Sequence, residues 1–189
     1  MGRMRSSLYL AVLLCASGGA ALASDTADAS LVVTVEGDSI VLTVPVSNVK
    51  VVVPRGNLTR DEEPGSGATT SPRYFKFSDA DKGVVISGWF ESEASWQGWK
   101  KFMAGEFTGL LKSEYPPSKA PDSLTAGPWN GFSYDVDLKS GKSAHLRAET
   151  FKAGTWVDLH ISVTIDGPIA DARSQALALL KSVDVKKKG

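Results

Sequence analysis

The chain has two histidines. Both stand in runs where every second residue is polar, beside carboxylates and an arginine. One run, Ala144 to Thr150, carries His145, Arg147 and Glu149. A later one, Val157 to Ile165, carries Asp158, His160 and Ser162. An earlier one, Phe132 to Leu138, carries Ser133, Asp135 and Asp137. Imidazole and carboxylate together suit general acid–base work or a zinc site. Asp137, His145 and Ser162 are the three residue types of a hydrolase triad. Asp135, Arg147 and His160 make a second polar set, in which an arginine can hold a carboxylate by charge-assisted hydrogen bonds and stack on an imidazole.

Whether these residues meet depends on the elements that carry them. Phe132, Tyr134, Val136 and Leu138 alternate with the polar set of the first run, as do Ala144, Leu146, Ala148 and Thr150 in the second. Val157, Leu159, Ile161, Val163 and Ile165 do the same in the third. Strict alternation with short Ser-Gly and Ala-Gly connections predicts an antiparallel meander with one buried face. A three-residue loop at 140–142 would set Asp137 opposite His145, Asp135 opposite Arg147 and Ser133 opposite Glu149. A turn centred on Ala153-Gly154 sets Arg147 against His160, His145 against Ser162, Glu149 against Asp158 and Phe151 against Trp156. Opposed side chains would then have Cβ atoms about 4.5–5.5 Å apart. In this register Arg147 is the centre of the polar face, between Asp135 and His160.

The chemistry is harder to support than the geometry. Ser162 falls in mid-strand, where neighbouring N–H groups belong to the ladder, and no Gly-x-Ser-x-Gly elbow occurs. The two histidines would lie diagonally, with the Arg147 cation between them to repel a metal ion. No residue is therefore assigned a catalytic or metal-ligating role, and no cofactor is expected. Asp135, Asp137, His145, Arg147, Glu149, Asp158 and His160 are taken as a candidate face for a ligand or partner.

Around the meander, the chain begins with Arg3 and Arg5, an apolar run from Leu8 to Cys15 and the tripeptide Ala21-Leu-Ala23. That pattern predicts a secretory signal peptide over 1–23, too short to span a bilayer of about 30 Å. Leu14 is too bulky to make Cys15 a lipidation site. Without the leader the chain has no cysteine, so its stability cannot come from disulfides. Twenty-one Lys+Arg balance twenty-one Asp+Glu, and removing Arg3 and Arg5 leaves a net charge of −2. That excludes the basic face of a nucleic-acid binder. A periplasmic or secreted protein follows, with a partner or small ligand in the cell envelope and no membrane span.

Residues 24–185 predict one α+β domain. Leu31–Val35 and Ile40–Val44 read as a hairpin, Val49–Val53 as a third strand, and 55–72 as an acidic Pro/Gly-rich loop. Tyr74–Phe77 and Val84–Phe90 make a further hairpin around a plain turn at Asp79 to Gly83. Ser92 is the predicted cap of a helix striped by Trp96, Trp99, Phe102, Met103, Phe107, Leu110 and Leu111. A Pro-rich crossing over 113–129 leads to the meander. A last helix opens at Gly167-Pro168 with Ile169, Ala172, Ala176, Leu180 and Val183 on its apolar stripe. Residues 186–189 read as a frayed basic tail.

The strand at 84–90 running into the helix at 96–111, the Gly127-Pro-Trp-Asn-Gly-Phe132 segment, the Phe151-Lys-Ala-Gly-Thr-Trp156 turn and the closing Leu179-Leu-Lys-Ser182 resemble the Mog1/PsbP-like fold over residues 46–185. The likeness extends to its small exported bacterial members of unknown function. The hairpin at 31–44 is an addition to that pattern. Proteins of this fold serve mostly as accessory or binding proteins, so the resemblance implies an exported non-enzymatic binding module. The alternative is a small hydrolase or metal-binding protein working at His145 and His160.

Overall fold

The structure, a computed structural model, describes residues 30–61, 73–92, 98–139 and 141–189. The expected leader, most of the acidic loop and the residues just before the first helix lie outside them. Three β-branched runs give β1 (Val32–Glu36), β2 (Ser39–Thr43) and β3 (Val49–Pro54). A two-residue β4 (Thr59–Arg60) precedes β5 (Tyr74–Asp79) and β6 (Val84–Ser92). Helix α1 (Trp99–Leu111) then leads to β7 (Asp122–Ala126), β8 (Trp129–Leu138), β9 (Gly141–Lys152) and β10 (Thr155–Ile165). Helix α2 (Ile169–Ser182) and β11 (Asp184–Lys187) close the chain.

All strand pairs are antiparallel, in two sheets ordered β1-β2-β3-β11 and β4-β5-β6-β10-β9-β8-β7. This is an α+β architecture, and one apolar cluster joins its layers. Leu42, Val51 and Val53 of the small sheet share it with Phe75, Ile86, Leu159 and Ile161 of the large one and with Ala172, Ala176 and Leu180 of α2. Two alanines in that stripe keep α2 slim where it lies on the sheet. Trp129, fully buried, donates from Nε1 to the Val183 carbonyl and ties β8 to the end of α2.

Four expectations change. The 186–189 tail is not frayed: β11 pairs with β3, Val185 is buried, and Lys188 donates through its backbone N–H to Asn48 and through Nζ to the Val44 carbonyl. The hairpin at 31–44 thereby belongs to a second sheet that needs the C-terminus to complete it. Ser92 ends β6, and α1 starts after Gly98 with no side-chain cap. Leu111, expected on the apolar stripe, is 59% exposed.

The fourth change concerns register. The β9–β10 hairpin turns on Ala153 (φ 49°) and Gly154 (φ 76°), both in the left-handed region that a two-residue hairpin turn needs. Its pairing is the expected one, with Arg147 opposite His160, His145 opposite Ser162, Glu149 opposite Asp158 and Phe151 opposite Trp156. The β8–β9 connection is shorter than expected, since Leu138 pairs directly with Gly141. That moves the register by three residues. An odd shift sends every β8 side chain to the other face.

Candidate functional site

The consequence of that shift is that Asp135 and Asp137 do not share a face with the histidines. Tyr134 stands opposite His145 and Phe132 opposite Arg147, whereas Asp135 pairs with Ala144 and Asp137 with Lys142. The physical reason is packing. Phe132, Tyr134 and Val136 form a small apolar cluster of their own with Met103 and Leu110 of α1, so the apolar side of β8 follows α1 and not α2. Asp137 is exposed. Asp135 reaches α2, where Arg173 donates to both carboxylate oxygens, through Nε to Oδ1 at 2.8 Å and through NH2 to Oδ2. That guanidinium holds the Asp135 carboxyl below its usual value. Neither the Asp137/His145/Ser162 set nor the Asp135/Arg147/His160 set forms.

The site that does form is a polar layer under α1, built by β9 and β10 with an aromatic wall from β8. The Tyr134 ring stacks on His145, centroids 4.9 Å apart and planes 15° from parallel. Phe132 continues the stack at 5.8 Å. On the far side, His145 Nδ1 lies 3.0 Å from His160 Nε2. The His160 ring is 5.2 Å away by centroids and 20° from parallel. Burial first, and then the Arg147 charge, hold His145 down to about 4 and His160 well below the ordinary imidazole value. Both rings are therefore neutral near pH 7, and one donates to the other.

Arg147 sits opposite His160, as expected, but its carboxylate partner comes from α1: Nε lies 3.4 Å from Glu106 Oε2. Glu106 had no signal in the sequence beyond being one acid on an otherwise aromatic helix face. Beside Arg147, Glu149 and Asp158 oppose each other at 3% and 0% exposure. Arg147 Nε, Glu149 Oε2 and both Asp158 carboxylate oxygens are buried without a hydrogen-bond partner. Burial pushes Asp158 up to about 7, against the pull of Arg147. Burial and the neighbouring Asp158 charge push Glu149 up to about 8. The pair holds protons that ordinary carboxyls would release.

The layer opens to solvent at one end, in a cleft of about 420 Å³. Its outer wall is Leu110, Ser113, Glu114 and Tyr115. Its floor is Tyr134, Val136 and Leu138 from β8, Ser143 and His145 from β9, and Ser162 and Thr164 from β10. Neither Glu149 nor Asp158 lines it. A second cavity of about 320 Å³ lies by Pro54, Leu58, Val84 and Leu179. Its polar groups are Arg55, Asn57, Gln175 and the Asp79–Lys82 turn pair, and it meets none of the polar layer, so the first cavity is the better candidate. Among the described residues, no three histidine, cysteine or acidic side chains are grouped to hold a metal ion. No helix among them is long and apolar enough to cross a membrane.

No family model matches the chain. No curated protein is similar to it in sequence. Among solved structures it is similar to a crystal structure from Bacteroides thetaiotaomicron VPI-5482, at 12% identity and a TM-score of 0.40, over 75% of this chain and 46% of the other. The chain thus spans less than half the length of that protein.

Proposed function

We propose that this is an exported, non-enzymatic binding protein that receives a small molecule in the cleft between α1 and the large sheet. The observation that carries the reading is the cleft itself, floored by the stacked Tyr134 and His145 rings with Ser162 beside them. A concave, mostly apolar cavity with a few convergent polar groups is what small ligands require. The catalytic alternative lacks its parts. Asp137 is on the other side of the sheet, Ser162 lies in mid-strand, and the two titrating carboxylates are outside the cleft. Export is supported by the Arg3/Arg5, apolar and Ala21-Leu-Ala23 pattern of the leader. The Mog1/PsbP-like reading is supported by the order of elements, with β6 leading into α1 and α2 following the meander.

Native mass spectrometry of untagged protein, purified from the envelope of the organism that makes it, tests the reading. A retained small molecule should be present in the wild type and absent from Leu138→Trp, which fills the cleft from its floor. Ester hydrolysis that disappears in His145→Ala with the fold intact would replace it with the hydrolase alternative.

A further inference from the structure

The cleft also carries information about what it holds. Resting on the binding reading above, we infer that its ligand is an uncharged compound with an apolar body and at least one hydroxyl group.

The body is set by the walls. Leu110, Val136 and Leu138 are aliphatic, and Tyr134, its ring stacked with Phe132 and His145, stands among them.

The hydroxyl follows from the histidine pair. The centre of an imidazole ring is about 1.1 Å from each ring nitrogen on standard bond lengths. Two such rings joined through nitrogens 3.0 Å apart can have centroids separated by roughly 5.2 Å only when the nitrogens lie on the line between the centres, and 5.2 Å is the separation observed. The two nitrogens therefore point at each other, as in an in-line N–H···N hydrogen bond. They do not converge on a third point, as two ligands of one metal ion must. The bond can run in either direction. If Nδ1 of His145 donates, its Nε2 is a bare acceptor; if His160 donates, Nε2 of His145 carries the proton. Nε2 is the ring nitrogen that His145 has left to offer the cleft. A ligand hydroxyl, which both donates and accepts, satisfies either state. A carboxylate satisfies only one and an ammonium only the other.

The remaining polar groups agree. Ser162, directly opposite His145, makes no side-chain hydrogen bond among the described residues, whereas Thr164 donates to Ser143 at 3.0 Å. Ser162 is thus a second two-way partner for a hydroxyl. Charge decides the rest. An anion would meet Glu114 at the rim and, on the floor, the His145 imidazole kept neutral by burial and by Arg147. A cation would find Glu114 at the rim but no carboxylate on the floor, where the Arg147 guanidinium lies in the layer behind His145.

Three probes with one ring and different charge separate these cases: benzyl alcohol, benzylammonium and benzenesulfonate. They are titrated at pH 7 into the full chain and followed by the methyl resonances of Leu110, Val136 and Leu138. Benzyl alcohol should shift these methyls with an affinity at least about tenfold tighter than either charged probe. Ser162→Ala should weaken it by several fold. A charged probe that binds equally well or better overturns the ligand class but leaves the cleft as the site. If no probe moves the methyls, the binding reading itself fails. Shifts in the Leu110 and Val136 methyls that persist in Leu138→Trp would place binding elsewhere and fail it as well.

Discussion

The two faces of the large sheet are made by the same strands and could hardly differ more. Along β10, Val157, Leu159, Ile161 and Val163 face α2 and the small sheet and are fully buried. The residues between them, Asp158, His160 and Ser162, face α1 with Arg147, Glu149 and His145 across from them. The covers match their faces. α2 brings Ala172, Ala176 and Leu180, all fully buried. α1 brings the half-buried Met103 and Leu110 and one acid, Glu106, with no fully buried side chain among those described. One face removes apolar area from water, at about 25 cal/mol per Å², and holds the fold together. The other keeps four buried polar atoms without hydrogen-bond partners among the described residues. Such atoms lower stability and are retained where a protein has a use for them.

The largest effect should fall on the dry face. Leu180→Ala removes a fully buried side chain from the packed cluster and should cost about 2–5 kcal/mol, read from the denaturant midpoint. Leu110→Ala, half-buried under α1, should cost less than about 1.5 kcal/mol. Equal losses would mean that α1 is as firmly seated as α2, and the contrast between the faces would fail.

Next is Arg147→Leu. It removes the cation nearest Asp158 and the partner of Glu106. At about pH 8, with Asp158 charged, the loss should be about 1–3 kcal/mol. Near pH 5 a protonated Asp158 needs no cation, and the loss should shrink. A cost that ignores pH would show that Arg147 acts by packing alone.

The carboxylate pair then predicts how the intact protein titrates. Glu149 and Asp158 hold protons in the folded state up to about 8 and about 7, above their ordinary values of 4.5 and 3.8. The native state therefore binds more protons than the unfolded one, and stability falls as pH rises. His145, depressed to about 4, acts in the opposite sense but only below its ordinary 6.5. From about pH 6.5 to about pH 8 the carboxylates act alone. Stability should drop there, by at most about 1.4 kcal/mol per pH unit for each proton released. The Glu149→Gln, Asp158→Asn double variant should be flat across that interval in urea unfolding. A wild type already flat there would mean that both groups titrate normally.

What the sequence could and could not reveal follows the same division. The β9–β10 pairing was legible because Ala153-Gly154 admits a two-residue turn, and that turn fixes which polar residues meet. The β8–β9 pairing was not. Phe132, Tyr134 and Val136 look like part of the dry face until α1 is known to have an apolar cluster with them. Trp129, an odd distance away and buried against α2, was the sign that both faces of β8 are covered. β11 was hidden because three consecutive lysines read as a solvated tail. Val185 alone is buried there, and the alternation is too short to register. The cleft could not be read at all, since its outer wall comes from 110–115, distant in sequence from its floor.

The smallest expected effect is a test of sign. Asp135, displaced from the polar layer by the register, is held by Arg173 at the edge of the α2 face. Arg173 is 41% exposed, so water screens the pair, and Arg173→Ala should cost only about 0.2–1 kcal/mol at pH 7. The Asp135 carboxyl is lowered from 3.8, first by the Arg173 hydrogen bonds. A lowered folded value means the unfolded state binds the proton more readily. The contribution is therefore complete above the ordinary value of 3.8 and disappears as pH falls through the lower folded one. Wild type and Arg173→Ala should thus converge in acid, whereas wild type and the Glu149/Asp158 double variant should diverge as the medium becomes alkaline. Two sets of carboxylates on one sheet would then report opposite signs, each set by the face on which the register places it. If Arg173→Ala instead gained its full cost at alkaline pH, Asp135 would have to belong with the buried pair after all.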